Sequence, residues 1–174
     1  MGAKKKPAKK GGSADDEEDE SVPRFYSKYV KKCKELEIKP SPIIKQQMQE
    51  FEDGDIEFLT KFHFWDELGW EGVRAIMDAL RTIAPAPYPH CKSIRLWKTF
   101  CEDEGVRATC QYIECAPNVQ ILELLDNKVT PLGCEFVSRI LHPKSSAQLK
   151  ILKMDHNPFG SEGMIRLAEG MAMN

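Results

Sequence analysis

The residues of this chain best suited to bond-making chemistry are six cysteines, four histidines and the acidic run Glu102, Asp103 and Glu104. A zinc site needs closely paired ligands, or two His at i and i+4 on a helix with an acidic companion. Cys33, Cys101 and Cys115 form no C-x-x-C pair. Cys91, Cys110 and Cys134 fall on apolar positions, where a free cysteine behaves as a small hydrophobe. His63 and His156 belong to a strand and a turn, whereas His90 and His142 sit beside prolines in loops. The acidic run reads as a solvated helix start, where carboxylates face the positive end of the helix dipole. Neither a G-x-x-x-x-G-K phosphate loop nor a G-x-S-x-G nucleophile turn is present. We expect no catalytic residues, no cofactor and no metal.

The chemistry left is recognition. Trp65, Trp97, Leu125 and Asp155 follow one another at intervals of 32, 28 and 30 residues. Two positions before each lie His63, Arg95, Glu123 and Lys153, and two before those lie Lys61, Ser93, Ile121 and Ile151. Residues two apart on a strand share a face. If the strands are parallel neighbours about 4.8 Å apart, each set becomes a column of touching side chains. A solvated sheet face rarely presents two Trp, a Leu and two Ile together, so Trp65, Arg95, Trp97, Ile121, Glu123, Leu125, Ile151 and Lys153 form a candidate protein-binding surface. The alternative places both tryptophans sideways in crevices between the units or under the N-terminal tail.

The element that must position these columns is clearest in residues 149–171, LKILKMDHNPFGSEGMIRLAEGM. Leu152 and Met154 alternate with polar neighbours as on a short strand. Asn157 suits the turn after it, because its amide satisfies turn backbone groups. Gly160 and Gly163 let the chain bend into a helix on which Met164, Leu167, Ala168 and Met171 share a face. Sliding the pattern back by thirty residues puts Gly133 on Gly163, with Val119, Leu122, Leu124 and Asn127 upstream and Cys134, Val137, Ser138 and Leu141 downstream. A further step of twenty-eight reaches Gly105, flanked by Cys91, Ile94, Leu96, Thr99 and by Val106, Thr109, Cys110, Ile113. A divergent copy surrounds Gly72, with Leu59, Phe62 and Phe64 before it and Val73, Ile76, Met77 and Leu80 after it. One such unit cannot bury its apolar side alone, so the units must stack.

With L-x-x-L-x-L-x-x-N and N-x-x-G-x-x-G in hand, residues 91–171 resemble leucine-rich repeats of the ribonuclease-inhibitor type. The resemblance implies an α/β solenoid with a curved parallel sheet on the concave side, helices outside, and a role in gripping other proteins. The repeats span about residues 59–90, 91–118, 119–148 and 149–174 within an array at 55–174. Proteins that activate the GTPase Ran resemble this architecture too, and Arg95 is the arginine of the expected concave face that could meet a phosphate.

Ahead of the array, residues 21–38 predict a helix capped by Ser21 and stopped by Pro40, with Phe25, Tyr26, Tyr29, Val30, Cys33 and Leu36 on one stripe. Ser41 and Pro42 start a second helix that Asp53-Gly54 ends. Together, residues 21–54 read as a two-helix cap over the first repeat, or else as a separate interaction module. Residues 1–20 read as a disordered arm, in which Lys4, Lys5, Lys6, Lys9 and Lys10 precede Asp15–Glu20. The arm is either a solubilising tail or an electrostatic contact to an acidic protein surface, RNA or a nuclear-import receptor. This layout is similar to that of small leucine-rich-repeat proteins of ciliary and flagellar axonemes, which would place the arm near acidic tubulin.

A net charge of −2 does not favour nucleic acid or membrane as a whole-protein partner. With six cysteines, no signal peptide and no apolar run near twenty residues, a reducing, cytoplasmic compartment and no membrane span are expected. After the last helix no capping segment follows, so that end is expected to be covered by more chain or by another protein. The function expected is therefore a non-catalytic scaffold or adaptor within a larger assembly. The alternatives are a small-GTPase regulator and a nuclear or RNA-associated protein.

Overall fold

A computed structural model describes residues 19–172. The lysines Lys4, Lys5, Lys6, Lys9 and Lys10 and the acidic residues before Asp19 lie outside the described residues. The chain is α/β. Helices α1 (Ser21–Glu35) and α2 (Pro42–Glu52) come first. Strand β1 (Lys61–Phe64), helix α3 (Gly69–Thr82), β2 (Ser93–Trp97) and α4 (Glu102–Ile113) follow. Then come β3 (Ile121–Leu125), α5 (Pro131–Leu141), β4 (Ile151–Lys153) and α6 (Gly160–Ala172). The four strands form one sheet in the order β1-β2-β3-β4, every neighbouring pair parallel. Parallel neighbours require a crossover, and each of α3, α4 and α5 supplies one. No helix among the described residues is long and apolar enough to cross a membrane.

Alternation decides which side of the sheet is core. Phe62, Phe64, Ile94, Leu96, Leu122 and Leu124 are all buried to 1 % exposure or less. They meet the apolar stripes of the helices, of which Val73, Ile76, Met77 and Leu80 on α3 and Val106 and Ile113 on α4 are fully buried. On α5 the buried face is Gly133, Cys134, Val137 and Ile140, with Ser138 and Leu141 only half-buried. On α6 the expected stripe fails. Gly163, Leu167 and Gly170 are buried, whereas Met164 and Ile165 are 56 % and 58 % exposed. The helix meets α5 through its glycines, because a Cβ on Gly170 would fall 2.5 Å from the Ser138 carbonyl oxygen.

The turns after β3 and β4 hold successive units together. Asn127 Oδ1 accepts the backbone N–H groups of Thr99 and Cys101 and the Thr99 hydroxyl, while its Nδ2 donates to the carbonyls of Leu96 and Leu125. Asn157 does the same one unit later, accepting from Asn127 N and Val129 N and donating to Leu124, Met154 and Asp155 carbonyls. Each amide thus bonds its own turn and the turn of the preceding unit, whereas the sequence suggested bonds within one turn alone. Lys98, Asp126 and His156 occupy equivalent places just after their strands, and all three are left-handed, with φ of 54°, 55° and 58°. The expected bend at glycine holds for Gly160, which has φ +54°. Gly163 instead serves close packing, since a Cβ there would lie 2.5 Å from Phe159 Cβ.

The first two helices cover the β1–α3 edge. Phe25 is fully buried, its ring 5.6 Å edge-on from Phe62 and 5.8 Å from Tyr88. Tyr29 Oη accepts the N–H of Ser41, whose own hydroxyl caps α2 by accepting from Ile43 N. Two expectations at this end need correction. Ser21 is the first helical residue and not the cap; the cap position falls to Glu20, whose side chain makes no capping bond, and the Ser21 N–H donates to the Asp19 carboxylate at 2.8 Å. The helix stops at Glu35 because Glu37 turns left-handed (φ 55°) and Ile38 N donates back to the Cys33 carbonyl, a closure that precedes Pro40.

Candidate interaction face

The residues pointing away from the helices stand in the register that their spacing suggests. Lys61, Ser93, Ile121 and Ile151 are successive partners, as are His63, Arg95, Glu123 and Lys153. Trp97 pairs with Leu125. Trp65 lies one residue past β1 and Asp155 two past β4, so those ends of the third column stand outside the paired strands. Asp155 still reaches its neighbour through its carbonyl, which accepts Asp126 N–H.

Trp65 is 68 % exposed and Trp97 41 %. Neither tucks into a crevice between units. They line the same hollow of about 170 Å³ together with His63, Phe64 and Arg95. A second apolar spot lies along the other edge, where Ile151 is 43 % exposed beside half-buried Ile121. Leu125 is half-buried and Lys153 exposed.

Glu123 departs from the expected role. It is 2 % exposed and therefore unable to meet a partner directly. Its Oε2 accepts the Trp97 Nε1–H at 3.0 Å and lies 3.4 Å from Arg95 Nε, and its Oε1 lies 3.2 Å from Lys153 Nζ. The cause is the register: the acid stands between two cations from the flanking strands, and the indole of Trp97 closes over it. A buried carboxylate is tolerated only when paired and hydrogen-bonded in this way. Its effect is to fix the orientation of the Trp97 ring and to hold Arg95 and Lys153 at the surface. The sequence carried the signal, a lone acid between Arg95 and Lys153 in one column, but strand alternation gives direction and not depth.

His63 completes the row by sharing a 2.7 Å hydrogen bond with the Ser93 hydroxyl. Burial holds its pKa below the usual histidine value, and the Arg95 and Lys61 charges act in the same direction. A proton therefore binds the unfolded chain more readily than the folded one. Stability is expected to fall as pH drops through about 6.5, where an unconstrained histidine titrates. Urea unfolding of parent and His63→Gln at pH 7.5 and 5.5 should show a loss in the parent that the variant lacks; equal losses would mean that other groups set the slope.

His90, His142 and the buried cysteines are occupied structurally. His90 stacks on Phe58 with centroids 3.7 Å apart and shares a 2.7 Å contact with the Asp19 carboxylate. His142 Nδ1 accepts the Lys144 N–H. Cys33, Cys91, Cys101, Cys110 and Cys134 are buried free thiols, and Cys115 is exposed. Burial pushes the thiols of Cys91 and Cys101 up to about 12, which makes them inert apolar filling at neutral pH.

Comparison with models of known protein families gives no match, and comparison with curated proteins gives none either.

Proposed function

We propose that the chain is a short leucine-rich-repeat solenoid of the ribonuclease-inhibitor type, acting as a non-catalytic scaffold that holds another protein on its open sheet face. The observation that carries this reading is the exposed Trp65–Trp97 pair, with Trp97 held by the buried Glu123, on the same sheet face as the apolar spot at Ile121 and Ile151. Keeping two indoles in water is unfavourable unless a partner covers them. Trp beside Arg is also the composition in which binding energy concentrates. The repeat reading rests on the glycine spacing, on the parallel register and on the equivalent bonds of Asn127 and Asn157.

Arg95 bears on the alternative of GTPase regulation. An arginine that stabilises a phosphoryl transition state must be free to meet it. Here Nε is turned to Glu123, a contact that supports binding over phosphate chemistry.

Replacing Trp97 by Ala should weaken retention of the native partner by about 2 kcal/mol, roughly thirtyfold, while the melting temperature falls by no more than about 5 °C, the cost of the lost bond to Glu123. Quantitative affinity purification from the native assembly, run beside a thermal melt of both proteins, measures the two together. Undiminished binding with a collapsed melt would assign Trp97 to stability and remove the site.

A further inference from the structure

Helix α1 carries a second feature, one that the sheet face does not use. Between residues 24 and 39 the sequence has six cations and two carboxylates, in a chain whose net charge is −2. Arg24, Lys28 and Lys31 stand at i, i+4 and i+7, which places them on one side of α1 within roughly 10 Å along its axis. That side is a wall of a groove of about 590 Å³ whose other wall is Thr82, Ile83 and Ala84 at the end of α3.

The three cations are not equivalent. Arg24 is already engaged: Nη1 donates to the Ala84 carbonyl at 2.9 Å, and Nε and Nη2 donate to Glu20 at 3.1 and 2.6 Å. It bridges the two walls and holds the groove open at a fixed width. Lys28 and Lys31 have no ion-pair partner among the described residues. The carboxylate of α1, Glu35, is taken by Lys32 at 3.0 Å. Two ammonium groups about one helical turn apart therefore face a groove whose opposite wall is partly apolar.

We infer that the α1–α3 groove docks an acidic segment of another polypeptide, two of whose carboxylates meet Lys28 and Lys31 while an apolar side chain rests on the exposed Pro23 and Ala84. Acidic residues two apart on an extended segment lie about 7 Å from each other on the same side, a spacing that suits two lysines one turn apart. A nucleic acid fits the lining less well. No aromatic side chain lines the groove to stack on a base.

The probe is a fluorescein-labelled decapeptide of alternating Glu and Ser with one central Leu, titrated into the full chain and followed by anisotropy. The paired change Lys28→Glu with Lys31→Glu should weaken binding at least about tenfold, and Lys28→Gln with Lys31→Gln by a smaller factor. Raising salt from about 0.15 M to about 0.5 M should weaken the parent and leave the reversed pair little changed. Circular dichroism melts of both pairs check that the fold is kept, and the milder Gln pair carries the test if the Glu pair unfolds. Changing Lys4, Lys5, Lys6, Lys9 and Lys10 to Gln should cost less than about threefold.

Four results would overturn the inference. One is a loss that follows the five arm lysines while the α1 variants bind like the parent. The second is equal binding of a peptide with Gln in place of Glu. The third is tighter binding of a thymidine decanucleotide than of the peptide. The fourth is a parent that sediments as a dimer which Lys28→Glu with Lys31→Glu dissociates, since a second copy would then be the occupant.

Discussion

Replacing Asn127 by Ala should destabilise the chain more than any single change on its surface, by about 3–5 kcal/mol. Asn127 is fully buried, and its amide makes five bonds, three accepted and two donated. Truncation leaves Thr99 N–H, Cys101 N–H and the Leu96 carbonyl without that partner in a region closed to water. Each buried orphan costs about 1–3 kcal/mol, partly recovered where a neighbour shifts to replace the bond. For a chain of this length the loss corresponds to a melting temperature lower by about 10 °C. Asn157→Ala is the internal comparison, because the same bonds at Asn157 are half-buried and water can substitute for several of them. The expected order is Asn127→Ala well below Asn157→Ala in thermal or urea unfolding. A variant of Asn127 that melts with the parent would show that the amide merely accompanies the turn.

The column register was legible because it needs only a period and a direction. Gly105, Gly133 and Gly163 fix the spacing, alternation fixes the face, and Lys61, Ser93, Ile121 and Ile151 then fall in one row. Whatever depends on what lies beside a unit was not legible. Glu123 alternates outward like its neighbours, yet sinks because Arg95, Lys153 and the Trp97 ring converge on it from other strands. Met164 has the spacing of a core residue but stays exposed, since burial depends on a neighbour on that side. Asn157 suits its own turn by residue type, yet three of its five bonds run to residues about thirty positions earlier. The ridge of Arg24, Lys28 and Lys31 was present as an i, i+4, i+7 pattern. It gains meaning only when α3 closes the other side of the groove.

Phe25→Ala should cost about 3–5 kcal/mol, the range for removing a large aromatic from a closed core. The ring is fully buried between Phe62 of β1 and Tyr88 of the following loop, so it spans the first helices and the sheet. Tyr88 carries the connection further, accepting the Leu59 N–H on its hydroxyl and receiving the Tyr112 hydroxyl on its carbonyl. A cavity at Phe25 therefore weakens the edge of the sheet as well as α1. If α1 and α2 are a cap on the array, the variant still unfolds in one transition, shifted down by about 10 °C, with tryptophan fluorescence and far-ultraviolet circular dichroism coinciding. If they are a separate module, the helical signal of α1 and α2 is lost first and the emission of Trp65, Trp70 and Trp97, all of which lie after α2, changes later, near the parent's temperature. Coincident transitions carry a consequence for both surfaces. The α1–α3 groove and the Trp-bearing face would then belong to one cooperative unit, and a partner seated on either would stabilise the other by binding the same folded state.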